Sequence, residues 1–229
     1  MIDYKVRTSS RSRQVRLSVS HHSGVVIVVP SGFDSARIPD IIAKKERWIR
    51  RSIEKVQWTG EPVEIPTQIN LKSVGTRITV IVEEISKRES CMVEEEDRLR
   101  LRLRRDLRSK RVPFTLLKKW LRQKGIGILL PWLERVSKEH GFIYHRSAIR
   151  SQRTRWGSCS IKKNINLNQV LLFLRPELVE YLMIHELCHT VHMNHSKNFW
   201  ELVGTHCPDY RALDKELRSA RKNVERWVY

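Results

Sequence analysis

The chain lacks what a membrane span or a disulfide framework requires. Its longest apolar runs, "GVVIVVP" (residues 24–30) and "IGILLPWL" (126–133), are short and broken by proline. Neither approaches the roughly 18 residues of a transmembrane helix. The opening "MIDYKVRTSS" has no apolar segment behind its charges, which argues against a secretory signal and makes the cytoplasm the expected compartment. The four cysteines, Cys91, Cys159, Cys188 and Cys207, lie far apart with no C-x-x-C pair. They read as free thiols, and their spacing argues against a four-cysteine zinc site.

Acidic residues are scarce as well: 25 Asp and Glu stand against 44 Lys and Arg, a net charge of +19 over 229 residues. The excess is +8 up to Lys110 and +11 from Arg111 onward, so it is not a removable basic tail. Such a charge favours polyanions, with DNA or RNA as the expected partner of the basic surface. With 40% hydrophobic and 30% charged residues, the composition is that of a globular protein.

Residues 1–30 alternate as strands, with a turn at "HHSG" (21–24), where His21 and His22 read as turn residues. Asp34 or Ser35 then caps a helix expected to run to about Val56, with Ile38, Ile42 and Ile49 on its apolar stripe. Strand character returns between 60 and 106. "RLRLRLRR" (98–105) reads as a strand with leucine inside and arginine outside, a geometry that also suits a phosphate backbone. From about Val112 the pattern becomes helical, with an interruption or kink expected at Pro131 and at Gly125 and Gly127. The expected organisation is an N-terminal β-rich domain with one long helix over 1–110, and an α+β domain over 111–229.

Chemistry concentrates in "VEYLMIHELCHTVHMNHSKNFW" (179–200). "HELCH" places His185 and His189 four apart, on one helical face, where two imidazoles converge on one metal. Glu186 beside them is placed to take a proton from an activated water. A third ligand cannot be His192 on a continuous helix, because seven residues carry it about 10 Å along the axis. A turn at Met193 and Asn194 would bring back His195 instead, with Ser196 capping the next helix. Glu201 and, less well placed, His206 remain the alternatives. Cys188 faces away from the histidine pair and reads as core. In "RTRWGSCS" (153–160), Gly157 reads as a turn glycine and Trp156 as a core plug. Alternatively, this loop and its edge strand orient a peptide, or Arg155 stabilises an oxyanion. Phe199 and Trp200 read as core residues tying the next helix down, and Tyr210 as a more distant candidate for contact with substrate.

"RWGSCS", "INLN", "HELCH" and "NHSKNFW", in that order, resemble the YgjP-like metallopeptidase family, which is similar in its core to the SprT/Spartan and Wss1 zinc proteases. The opening strands resemble the family too, whereas residues 57–110 match less clearly. The resemblance implies a zincin-like fold for 111–229, Zn2+ as cofactor, His185, His189 and His195 as ligands, and Glu186 as catalytic base. The activity it implies is hydrolysis of peptide bonds in protein or peptide substrates. The rival reading is a nucleic-acid-binding protein with a structural or vestigial zinc site; a third is an amide hydrolase acting on small molecules.

Overall fold

The computed structural model describes residues 2–20, 24–56, 63–86, 89–107 and 111–228. The turn expected at 21–24 therefore lies outside the described residues, apart from Gly24. The chain divides into two compact units, Met1–Pro62 and Val63–Tyr229.

The smaller unit is a three-stranded sheet under two short helices. Strands β1 (Tyr4–Ser9), β2 (Arg16–Ser20) and β3 (Gly24–Pro30) are ordered β1-β3-β2, with β1 parallel and β2 antiparallel to β3. Alternation along β3 buries Val25, Ile27 and Val29 against Ile38 and Ile42 of α1 (Ile38–Lys44) and Ile49 of α2 (Glu46–Val56). The single helix expected over this stretch is divided. The Asp34 carboxylate accepts from the Ala36 amide, a 3-10 turn follows at Ser35–Arg37, and the two helices part at Lys45.

In the larger unit, β4 (Gln68–Leu71), β5 (Thr76–Ile85), β6 (Cys91–Glu95) and β7 (Arg98–Arg104) form a sheet ordered β4-β5-β7-β6. Leu99, Leu101 and Leu103 of β7 are fully buried, and the intervening arginines face outward. Those arginines are paired. Arg100 donates to Glu83 (2.6 Å) and Glu95 (3.0 Å), Arg102 to Glu83 (3.1 Å), and Arg104 to Asp106 (2.9 Å).

The boundary expected at 110 falls inside this unit. The apolar face of the sheet needs a cover, and it shares one core with Leu117, Trp120 and Leu121 of α3 (Val112–Glu139). Glu94 of β6 reinforces the join by accepting from Trp120 Nε1 (3.0 Å) and Lys124 Nζ (2.5 Å). Helix α3 also differs from expectation, running unbroken through Gly125, Gly127 and Pro131. Packing outweighs propensity there: Leu129, Leu133 and Val136 are fully buried. A Cβ on Gly125 would lie 3.1 Å from Ile149, so this glycine sets a close helix–strand approach.

A second sheet of β8 (Arg146–Arg150), β9 (Gly157–Cys159) and β10 (Asn164–Asn168) is ordered β8-β10-β9, which leaves β9 at an edge. Helices α4 (Pro176–Cys188), α5 (Lys197–His206) and α6 (Tyr210–Ser219) complete an α+β fold with six α-helices and three sheets among the described residues. No described helix is long and apolar enough to cross a membrane.

Candidate metal centre

Helix α4 is a core element. Leu178, Val179, Leu182, Met183, Ile184, Leu187 and Cys188 are all buried, which leaves His185 and His189 to face a cleft. The helix stops at Cys188, and His189 serves as its C-cap. Thr190 Oγ1 donates to the Leu187 carbonyl (2.7 Å), the chain bends at Met193 and Asn194, and Ser196 caps α5 by accepting from the Phe199 amide (3.4 Å). This path returns His195 to the histidine pair.

One ring nitrogen from each of His185, His189 and His195 lies within 4.8 Å of the others, and Nε2 of His185 is 3.1 Å from Nε2 of His195. His189 Nδ1 lies 3.0 Å from the His192 carbonyl, which can only accept; the ring therefore carries its proton there and keeps a lone pair on Nε2. Beneath the cluster, Phe199 stacks on His189 (centroids 4.4 Å apart, 23° between planes) and meets His185 and His195 edge-on. Burial, then repulsion from His189 and His195, pushes His185 down to about 3, and burial also lowers His189. Imidazoles converging in this way, two of them held toward the neutral form, fit a borderline-soft divalent cation.

Glu186 is 5% exposed and lines the same cleft, a space of about 360 Å³ bounded also by Arg155, Gly157, Ser158, Cys159 and Met193. Burial pushes its carboxyl up to about 8, against the opposing pull of the Arg155 charge. Burial, then the Glu186 charge, raises the Cys159 thiol to about 11, which keeps it protonated and a poor nucleophile. Gly157 is not among the positive-φ glycines, contrary to its reading as a turn residue. It lies on β9, at a position where a Cβ would collide with Glu186.

The loop before β9 is fixed from below. Buried Asn168 donates through Nδ2 to the carbonyls of Gln152 (2.6 Å) and Arg155 (2.8 Å), and its Oδ1 accepts from the Val170 amide (3.2 Å). The Arg221 guanidinium lies over the Trp156 ring, 4.8 Å from its centroid. A second cavity of about 220 Å³ adjoins the cleft, sharing Arg155, Gly157, His185 and Glu186 with it, and Tyr181, Trp156 and Asp214 complete much of its wall.

Of the other sequence candidates, His192 contributes its backbone carbonyl rather than its ring. Glu201 is largely exposed and pairs with Lys197 (3.5 Å), and His206 bonds His140 (Nδ1 to Nδ1, 3.0 Å). Cys188 is fully buried. Tyr210 stacks on Trp200 (5.4 Å) and is absent from the cleft lining. Sequence reasoning passed over Asn168, although a polar residue ending "INLN" at a buried strand terminus is a signal for a loop anchor. It also missed Asp214, whose place depends on how α6 packs.

Convergent imidazoles beside a buried glutamate, open to a cleft, belong to the chemistry of metal-dependent hydrolases. The family description "YgjP-like, metallopeptidase domain" matches residues 13–220, and the chain belongs to this family. Membership implies a divalent metal and a peptide substrate. No curated protein matches the chain. Among solved structures, the metallopeptidase zymogen of Pyrococcus abyssi abylysin is similar at 29% identity, covering 42% of this chain and 94% of that one with a TM-score of 0.36.

Proposed function

We propose that this chain is a zinc-dependent peptidase with a zincin-like catalytic region within 111–229. In this reading His185, His189 and His195 hold the metal and Glu186 is the catalytic base. The observation that carries it is the grouping of three imidazoles and a buried glutamate around one cleft. Three histidines with an open position are a ligand set of catalytic zinc, whereas a structural site normally closes with four protein ligands. Bound there, zinc supplies a Lewis acid that acidifies a water and polarises the scissile carbonyl.

The protein's own part follows from the residues around the cleft. Glu186 takes a proton from the attacking water on its carboxylate and returns it to the leaving nitrogen. The His192 carbonyl holds the His189 tautomer, and Phe199 holds the ring planes. Edge strand β9 offers backbone groups to an extended peptide, and Arg155 supplies positive charge at the cleft. The +19 charge supports recruitment to nucleic acid in the cytoplasm. The paired arginines of β7 are not the contact we assign to it.

The test is metal analysis of the purified protein, then proteolysis assays with and without DNA, using wild type and Glu186→Gln. The variant should keep its zinc and lose cleavage. Full activity in Glu186→Gln removes the assigned mechanism. Salt-sensitive DNA binding with no cleavage under any condition supports the rival binding module.

A further inference from the structure

His185 poses a question that the three-histidine cluster does not answer. Its Nε2 faces His195, so its Nδ1 points away from the cluster. That Nδ1 is buried and has no hydrogen-bond partner among the described residues. An imidazole that offers Nε2 to a metal carries its proton on Nδ1, and metal-bound histidines almost always donate that proton to an acceptor. For His189 the acceptor is the His192 carbonyl; for His185 the second cavity, which it also lines, is where one can be sought.

That cavity, about 220 Å³, is bounded by His185, Tyr181, Trp156 and Asp214 among others. It has room for water, which occupies about 30 Å³ per molecule in the liquid and needs two to four polar partners. Asp214 is an oriented acceptor at its wall. Its Oδ1 accepts from the Tyr181 hydroxyl (3.1 Å), and its Oδ2 accepts from Nε (2.9 Å) and a terminal nitrogen (2.5 Å) of Arg218. A carboxylate offers about four acceptor sites, so capacity remains on the Tyr181 side. Tyr181 lies one turn before His185 on α4, and the two rings meet edge-on at 6.0 Å. The tyrosine that steers Asp214 thus shares a helix face with the histidine whose proton needs an acceptor.

We infer that Asp214 is a positioning residue for the metal centre, accepting the His185 Nδ1 proton through a water in this cavity. The link fixes the His185 tautomer and ring direction and so raises metal affinity. It rests on the proposed metal site, and the experiment separates the two.

Zinc affinity is measured on metal-free protein by competition with a chromophoric chelator, alongside melting of the metal-free forms. Asp214→Ala should weaken zinc binding about 10- to 100-fold, the usual effect of losing such a partner. Arg218→Ala, which removes the other Asp214 contact but leaves the acceptor, should stay within about twofold, a limit set by additivity errors of similar size. Unchanged affinity in Asp214→Ala, or an equal loss in Arg218→Ala, overturns the inference and leaves Asp214 a brace for α6. Should Asp214→Ala not fold, Asp214→Asn gives the reading: a smaller but measurable loss supports the inference, and wild-type affinity overturns it. If the wild type binds no zinc, or His189→Ala binds it as tightly as wild type, the metal site itself fails.

Discussion

A Cβ built on Gly157 would lie 2.6 Å from Oε1 of Glu186, 2.9 Å from its Cγ and 3.0 Å from its Cδ. The space a side chain at 157 would take is thus the space of the Glu186 carboxyl group, and the absence of a side chain at this one position of β9 is what seats Glu186. Gly157→Ala has no left-handed backbone to strain, so the collision is relieved by displacing Glu186. The three histidines are untouched. The expected outcome is a fall in kcat on the order of 10²-fold, the scale of an ångström-size misplacement of a reacting group, with zinc stoichiometry preserved. Steady-state kinetics and metal analysis on one preparation test this; wild-type kcat would show that Glu186 accommodates the methyl group.

Asn168 holds two carbonyls of the loop that carries Arg155 into the cleft, and it is fully buried while doing so. Asn168→Ala leaves both acceptors without their donor. The expected cost is about 1–3 kcal/mol, the range for a buried polar group left unsatisfied. Asn168→Asp should cost more, because a carboxylate oxygen would then face the two carbonyls. Urea midpoints at unchanged m-value measure both. Equal stability of Asp and Asn at this position would remove the loop-anchor role.

His192 and His195 separate a backbone role from a side-chain role. The ring of His189 bonds the carbonyl of residue 192, which any side chain leaves in place. His192→Ala should therefore bind zinc like the wild type, while His195→Ala should lose affinity by an order of magnitude or more. Titration of the two metal-free variants decides this. A loss in His192→Ala comparable to that in His195→Ala would mean that its imidazole enters the metal site.

The histidine cluster was legible because helix geometry is local: residues four apart share a face, and a bend before Ser196 returns His195 toward that face. Alternation was equally local, so Leu99, Leu101 and Leu103 were assigned correctly to the inside of β7. Where packing decides, the sequence was a weaker guide. Pro131 has the same local chemistry in a kinked helix as in α3, and the burial of Leu129 and Leu133 that carries the helix past it is a tertiary property. Gly157 carried a signal, but its reason lies across the cleft in Glu186 rather than in its own φ. The expected boundary at 110 followed a change in pattern from strand to helix, whereas the 68–104 sheet and α3 bury their apolar faces in one another.

Glu83 ties the outer face of β7 together, and its pH behaviour follows from that. Its carboxyl is held below the usual range first by the hydrogen bond from Arg100 and then by that from Arg102. A lowered folded-state pKa means that the ion pairs stabilise the fold fully above the ordinary carboxylate value. That contribution fades as pH falls through the ordinary value toward the lowered one. Glu83→Gln removes it at every pH. The stability gap between wild type and variant should therefore be present at pH 7 and close on acidification toward pH 3, as followed by denaturant midpoints. In the same variant Arg100 and Arg102 lose the negative charge they share, Arg100 keeping Glu95, so β7 becomes a more strongly cationic strip. If pairing is what keeps this strip from polyanions, Glu83→Gln should be retained more strongly on immobilised DNA at low salt, and the gain should vanish as salt rises. Retention equal to wild type at low salt would instead mean that removing the Glu83 charge creates no new contact with the phosphate backbone.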